Sequence, residues 1–297
     1  AWNIPMALLP EIVDTSSIVG VTDKSIFGAE IPIGSLVGDQ QAALFGQLCL
    51  TPGDVKNTYG TGCFMLMNTG ETRIQSKNGL LSTVAWRFGG KTVYALEGSV
   101  FIAGSAVQWL RDGLGLIRRS EESEVICKNL KDTNGVVVVP TFVGLGAPYW
   151  NPSVQGAMFG LTRGTTDAHI IRATLEAIAY QSHDVIKAME KDAHQPIKKL
   201  KVDGGASRND FLMGFQSDIL NVEVVRPLIS ETTALGAAML AGLAVGIYKT
   251  TSDLSKVWKA SQSFKPTMSV ADREDKLKHW SMAISAVTHY RTDNDQR

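Results

Sequence analysis

The chain has 297 residues, with 29 basic and 29 acidic side chains and therefore no net charge at neutral pH. A balanced charge argues against nucleic acid or an anionic membrane surface as the main partner, because both are bound through a basic excess. The hydrophobic share of 44% is enough for a large folded core, and the length is typical of about two domains.

Membrane-spanning proteins and disulfide-rich proteins are disfavoured as well. The longest stretch without charge or strong polarity, 234–248, is shorter than the ~20 residues that a membrane span needs. The three cysteines, Cys49, Cys63 and Cys127, are too far apart in sequence for a disulfide framework or a zinc knuckle. The chain opens on Ala1 without a basic, then apolar, leader. These features predict a cytoplasmic protein that was either processed or is part of a longer one.

Short β-rich runs alternate with helical patterns along the chain, which predicts an α/β fold. In chain order the predicted strands are 31–37, 55–59, 63–68, 92–96, 136–139, 199–202 and 222–225. The predicted helices are 39–48, 101–111, 166–191, 211–219 and 233–246. The longest of them has a core-facing stripe of apolar residues and a threonine cap, Thr165 or Thr166. We expect the polar end, 291–297, to fray.

The first candidate site is Gly38-Asp39-Gln40-Gln41, between a predicted strand and a predicted helix. Asp39 suits the N-cap of that helix, because a short acidic side chain accepts the free N–H groups there. It equally suits a ligand site, because ligands bind at the carboxyl edge of open α/β sheets. Its carboxylate would then take a proton from a substrate hydroxyl, and Gln40 would bind a second hydroxyl. The two interpretations are compatible.

Two glycine-containing turns are the next candidates. Gly60-Thr61-Gly62 separates two predicted strands, so it is either an ordinary hairpin turn or a cradle of N–H groups and a hydroxyl for phosphate oxygens. Gly204-Gly205 follows another strand, where bare backbone would admit a flat ring or a phosphate. The alternative there is a tight turn, with Ser207 or Asn209 as the cap of the next helix.

A further candidate pair lies on one helix. Gly104 and Gln108 are four residues apart and therefore share a helix face. Glycine inside a helix costs ~1 kcal/mol relative to alanine, which indicates a close neighbour at Gly104. That neighbour is either a ligand or another helix, and the residues alone favour the helix.

Taken together, these segments resemble the FGGY carbohydrate kinases of the actin-like ATPase superfamily, in order and in spacing. The resemblance runs through nearly the whole chain and is greatest to the members that act on glycerol. The matching segments are 38–47, 57–64, 144–150 and 203–205. The resemblance implies an RNase H-like (actin-like ATPase) α/β domain with a mixed sheet flanked by helices, preceded by the tail of a similar domain.

The resemblance also implies a reaction, the ATP-dependent phosphorylation of glycerol to glycerol 3-phosphate, with Mg²⁺ neutralising the phosphate oxygens. Asp39 would be the general base and bind glycerol beside Gln40, while Phe64 would pack on the carbon backbone of the polyol. The residues implied for the nucleotide are Thr61, Gly62, Gly104, Gln108, Gly205 and Asn209. No metal-binding side chain is assigned, and the family resemblance suggests a homo-oligomer, a dimer or a tetramer.

The chain also departs from the family pattern. The Asp-x-Gly-Thr phosphate hairpin that opens the family's first domain appears nowhere, and most polyol-contacting residues of the family lie upstream of it. We therefore predict that residues 1–48 are the tail of the first domain, with the substrate-base segment, and that 49–297 form the second, nucleotide-binding domain. The chain alone would bind ATP weakly and turn over little glycerol.

Two alternatives to glycerol phosphorylation remain open. One is an FGGY kinase for another polyol or a ketose such as xylulose, and the other is a catalytically silent nucleotide-binding fragment.

Regulation is the last expectation. Relatives inhibited by fructose 1,6-bisphosphate have an arginine in the loop before the substrate strand, and here the place is taken by Glu30. An acid repels a bisphosphate, so we predict no such inhibition.

Overall fold

The computed structural model describes residues 4–290, so the predicted fraying of 291–297 concerns residues outside the described part. The strands in the described part are β1 Ser16–Val21, β2 Pro32–Ser35, β3 Val55–Tyr59, β4 Cys63–Gly70, β5 Leu81–Phe88, β6 Lys91–Val100, β7 Val137–Val139, β8 Ala157–Phe159, β9 Lys199–Asp203, β10 Glu223–Pro227 and β11 Ala260–Phe264. The α-helices there are α1 Lys24–Phe27, α2 Asp39–Gly46, α3 Gly104–Gln108, α4 Glu122–Lys128, α5 Asp167–Ala193, α6 Asp210–Leu220, α7 Thr232–Ala244 and α8 Val270–His289.

The main element is a mixed sheet of seven strands in the order β11-β10-β9-β3-β4-β6-β5. Strands β3, β9 and β10 run parallel, and the remaining neighbours pair antiparallel. Because β3 and β9 are parallel neighbours, their carboxyl ends meet at one edge of the sheet. The turns that follow Tyr59 and Asp203 are therefore adjacent.

Helices cover both faces of this sheet, which confirms the predicted fold class. On one face α5, α6 and α8 bury a large core that includes Leu175, Leu212 and Trp280. On the other face α2 and α7 pack on β4, β5 and β6 through Phe45 and Leu240. Both faces of the sheet are thus covered by helices, and its edges are where ligands bind in open α/β folds.

The longest helix, α5, forms where its apolar stripe predicts it. Thr166 precedes the first turn, and its backbone N–H donates to His169 Nδ1 at 3.0 Å. Ile171, Leu175 and Ile178 are all fully buried. Of the two threonines considered as caps, Thr166 occupies the position.

Two of the predicted elements that differ in the structure lie beside the site. The predicted strand 31–37 is reduced to β2, which pairs only with β1 in a small two-stranded sheet. The predicted helix 101–111 begins at Gly104, because the preceding N–H of Ala103 is held by Thr61 O at 2.8 Å. After Gln108 it continues as a π-helical turn, Trp109–Gly113.

Helix α2 packs tightly against α7. A Cβ atom on Gly236 would lie 1.8 Å from Ala42 O, and one on Gly46 would lie 2.1 Å from Thr232 O. Two glycines therefore let the backbones touch. The residues before position 49 thus share a core with the sheet, while the domain boundary placed there stays a prediction. No helix within 4–290 is long and apolar enough to cross a membrane.

Candidate active site

The carboxyl ends of β3 and β9 form the floor of the site. Gly204 follows β9 with φ of +85°, and a Cβ atom on it would lie 2.5 Å from Tyr59 O at the end of β3. Only glycine tolerates both the backbone conformation and the contact. For Gly205, by contrast, a Cβ atom would meet nothing within 4 Å. Gly204 is thus required for the turn, whereas Gly205 presents open backbone.

The hairpin between β3 and β4 is tied to the start of α3. Gly60 O accepts the N–H of Gly104 at 3.0 Å, and Thr61 O accepts the N–H and the hydroxyl of Ser105 at 3.1 and 2.9 Å. A Cβ atom on Gly104 would lie 2.5 Å from Gly60 O. The close neighbour of Gly104 is therefore this hairpin and not another helix.

A cavity of about 420 Å³ opens above these turns. Five of the six residues predicted to bind nucleotide line it together: Thr61, Gly104, Gln108, Gly205 and Asn209. Gly62 does not line it. A Cβ atom on Gly62 would lie 2.3 Å from Val100 O, so the close packing of the hairpin on β6 accounts for this glycine.

Further residues line the cavity that the sequence did not single out. They come from α3 and the π-helical turn after it, from the segment around α4, and from α6 and the turn before it: Val107, Arg111, Ser120, Glu121, Ser123, Glu124, Ala206, Arg208 and Leu212. Charged and polar groups at the rim and apolar groups below are typical of small-molecule pockets. No sequence motif marks these positions, because they meet only in the folded chain.

Asn209 connects two walls of the cavity. Its Oδ1 accepts the N–H of Leu212 at 2.9 Å, so it caps α6, as one interpretation of the sequence had it. Its amide donates to Ser123 Oγ at 3.3 Å. The cap fixes the side chain at the cavity wall, so a structural role and a binding role are compatible here.

Asp39 lies outside this cavity, at the first residue of α2. Gly38 is the residue before the helix and no side chain caps it, so Asp39 is not the N-cap that one interpretation made it. The Asp39 carboxylate is exposed and accepts the backbone N–H of Gln40 at 2.8 Å and the Gln40 side-chain amide at 3.3 Å. An exposed carboxylate at a helix start is free to accept a proton from a ligand.

A fully buried lysine, Lys56 on β3, lies below this segment. Its ammonium donates to Gln40 Oε1 at 2.5 Å, to Thr58 Oγ1 at 2.9 Å and to Phe64 O at 3.1 Å. Burial lowers the pKa of Lys56 to about 8, although the negative charges of Asp203, Glu97 and Asp39 act against that shift. Sequence reasoning missed Lys56, because a single lysine in a strand has no distinguishing pattern.

Phe64 and Glu97 complete this part of the sheet. The Phe64 side chain is 37% exposed at the start of β4, next to the Lys56 contact. Glu97 on β6 is half-buried, and burial raises its pKa, with the charge of Asp39 adding to the rise. The predicted polyol residues Asp39, Gln40 and Phe64 thus lie together around Lys56. Phe64 is three residues beyond Thr61, so one hairpin connects the two parts of the site.

Asp203, at the end of β9, has a structural role. It is 3% exposed, and its Oδ2 accepts from Gln47 Nε2 at 2.8 Å and from Thr232 Oγ1 at 2.7 Å. It therefore joins the end of α2 and the start of α7 to the end of β9. Within residues 4–290, no group of three or more His, Cys, Asp or Glu side chains is arranged to hold a metal ion.

Comparison with known proteins identifies the family. Residues 55–245, which include both parts of the hairpin and the α6 turn, match the C-terminal domain of the FGGY family of carbohydrate kinases. The chain belongs to this FGGY family. That finding confirms the resemblance seen in the segments around Thr61 and Gly204.

Curated FGGY relatives agree with this assignment. The chain is 56% identical over 283 residues to glycerol kinase 2 of Thermotoga maritima and 58% identical over 282 residues to glycerol kinase of Thermoanaerobacter pseudethanolicus. In both cases the match covers 95% of this chain and 57% of the relative. The chain thus spans a little over half the length of these relatives.

Solved FGGY structures show the same fold. The crystal structure of Plasmodium falciparum glycerol kinase with ADP superposes with a TM-score of 0.90 at 36% identity, over 97% of this chain and 57% of that one. A ligand-bound xylulose kinase from Lactobacillus acidophilus superposes with a TM-score of 0.81 at 19% identity, over 95% of this chain and 58% of that one. The second match bears on the fold alone.

Proposed function

We propose that the protein transfers the γ-phosphoryl group of ATP to glycerol, giving glycerol 3-phosphate and ADP. The observation that carries the proposal is the identity of 56% to 58% with proteins named glycerol kinase, over 95% of the chain. That stretch includes both the Asp39 segment and the cavity residues, so the whole described site lies within the match.

The cavity is the proposed nucleotide site. Its volume of about 420 Å³ is within the range of small-molecule pockets. Gly205 offers bare backbone to the cavity, and Gln108 also lines it. We place adenosine against these two residues and the phosphates toward Thr61. Mg²⁺ would arrive with the phosphates as their counter-ion, since it binds mainly through phosphate oxygens and water.

Asp39 is the proposed general base. It would accept the proton of the glycerol hydroxyl as the hydroxyl oxygen bonds to the γ-phosphorus and the bond from that phosphorus to the ADP oxygen breaks. Such a base contributes roughly 10²–10⁴-fold to a rate. Gln40 would bind a second hydroxyl and Phe64 would cover the carbon backbone. Positioning of this kind accounts for most of the catalysis in phosphoryl transfer.

We infer that the 297-residue chain alone binds nucleotide weakly and phosphorylates glycerol slowly. The chain spans 57% of the length of the relatives above, and part of the polyol site is expected in the portion it does not match. Robust turnover by the isolated chain would refute this inference. The homo-oligomeric state and the cytoplasmic location stay predictions.

The test is a coupled ADP-release assay on the complete protein, with glycerol, xylulose or no acceptor. We expect turnover with glycerol far above that with xylulose, and glycerol 3-phosphate as the product by mass spectrometry. A preference for xylulose would favour a ketose kinase. Nucleotide binding without any turnover would favour a silent binding module.

An aspartate pair provides the matched control. Asp39 and Asp167 are each the first residue of a helix, and each accepts the next backbone N–H at 2.8 Å. Asp39→Asn should lower kcat by roughly 10²–10⁴-fold, the contribution of a general base. Asp167→Asn, distant from the site in sequence and fold, should leave kcat unchanged. Equal activity of the two variants would contradict the role of Asp39.

A further inference from the structure

Every N–H donor of the Lys56 ammonium has a hydrogen-bond acceptor. A lysine ammonium carries three N–H donors and no acceptor. Here the three donors reach Gln40 Oε1, Thr58 Oγ1 and the Phe64 carbonyl, and the side chain is 0% exposed. A buried ammonium with all donors paired holds its partners in fixed positions, because breaking any contact leaves a buried polar group unpaired.

The contact with Gln40 fixes which end of the amide faces Asp39. Since an ammonium only donates, it can face the amide oxygen but not the amide NH₂. With Oε1 held by Lys56, Nε2 is turned to the exposed Asp39 carboxylate, at 3.3 Å from Oδ2. Without the lysine, the amide oxygen loses its donor and only the 3.3 Å contact with Asp39 holds the side chain, so the NH₂ group is no longer fixed in position.

Charged groups face Lys56 from several elements. Asp39 faces it from the start of α2, Glu97 from β6 and Asp203 from β9, with the Cys49 thiol beyond the end of α2. The three carboxyl groups stabilise the ammonium against the cost of its burial. The cation is therefore part of the same charged cluster as the proposed base.

We propose that Lys56 is a positioning residue for the polyol: it fixes the Gln40 amide so that its NH₂ group, beside the Asp39 carboxylate, meets a substrate hydroxyl. The inference rests on the proposed function, in which Asp39 and Gln40 bind the acceptor alcohol. Lys56 itself is buried, so it acts through Gln40 and does not touch the substrate.

The test compares two lysine variants of the complete protein. Lys56→Met removes the ammonium and keeps a side chain of similar length. Lys201→Met is the matched control, because Lys201 is the direct neighbour of Lys56 in the sheet and its ammonium binds Gln47 O and Leu48 O at 2.7 and 3.0 Å. Loss of a charged hydrogen bond predicts that Lys56→Met raises the KM for glycerol about tenfold, with the KM for ATP within about twofold.

A double-mutant cycle separates positioning from general destabilisation. If Lys56 acts through Gln40, then Lys56→Met should raise the KM for glycerol by less than about twofold in a Gln40→Leu background. An increase as large as in the native background would overturn the proposal. So would an equal rise of the KM for glycerol in Lys201→Met.

The native protein provides a measurement that needs no variant. Because the pKa of Lys56 is about 8, its ammonium loses a proton as pH rises past that value, and one of its three acceptors loses its donor. The KM for glycerol should rise above about pH 8 while the KM for ATP stays flat. A KM for glycerol that stays flat past pH 10.5, the ordinary pKa of a lysine, would overturn the proposal. Absence of any glycerol turnover by the native protein would instead refute the proposed function, and this inference with it.

Discussion

The burial of Lys56 predicts a specific pH dependence of stability. Its pKa falls from 10.5 to about 8 on folding, chiefly because burial disfavours the charged form. At about 1.4 kcal/mol per pKa unit, the charged lysine costs the folded state ~3 kcal/mol at neutral pH. Lys56→Met removes that titration and leaves the other groups in place.

The direction in which stability changes with pH follows from the number of protons that the folded and unfolded states bind. Below about pH 8 both states hold the proton, and the cost is constant. Between about pH 8 and 10.5 the folded state loses the proton first, so the unfolded state binds more protons and the stability of the native chain rises with pH. Above 10.5 both states are neutral and the cost is gone.

The assay is urea unfolding of the native chain and the Lys56→Met variant across this pH range. The unfolding free energy of the native chain minus that of the variant should increase by ~3 kcal/mol from pH 7.5 to 10.5. Titrating groups that do not face Lys56 cancel in the difference, and the interval from about pH 6 to 7 should be flat and serve as the internal control. A difference that is constant across the whole range would refute the assignment of Lys56 as a buried ammonium.

Three other predictions concern glycines and regulation. Gly205→Val should weaken ADP binding about tenfold without lowering Tm, because the new side chain enters open space at the cavity wall. Gly214→Ala is the control, since Gly214 on α6 also faces open space, and it should leave ADP binding unchanged. Titration calorimetry measures both affinities. Gly204→Ala should lose more than about 2 kcal/mol of stability in urea unfolding, because of its φ and the Tyr59 contact, and wild-type stability would contradict this. Fructose 1,6-bisphosphate should not inhibit the complete protein, since Glu30 is acidic, and inhibition in a titration would show otherwise.

Much of the fold could be predicted because local pattern and tertiary contact agree there. β3 coincides with its predicted bounds as a short strand that is buried on both faces, and α5, which has a helical stripe of buried residues, differs by only one or two residues at each end. Seven elements were missed: β1, α1, β5, α4, β8, β11 and α8. Helix α8 buries only four of its residues, including Trp280 and Ile284, so its apolar signal is weak.

The candidate site could be predicted in part for a related reason. Residues at strand ends and glycine turns, such as Thr61 and Asn209, are visible in sequence, because turns and caps need particular residue types. Lys56 and Glu97 could not be recognised as site residues in the sequence, because their proximity to Asp39 arises from strand pairing across β3, β4 and β6. A buried charge in a strand is recognised only when its partners are known.

The most direct test of the proposed site is a crystal structure of the complete protein with ADP and glycerol. We expect ADP in the cavity between Gln108 and Gly205, with its phosphates toward Thr61, and a glycerol hydroxyl within hydrogen-bond distance of Asp39. ADP bound elsewhere on the domain, or glycerol away from Asp39 and Phe64, would contradict the assignment of both halves of the site.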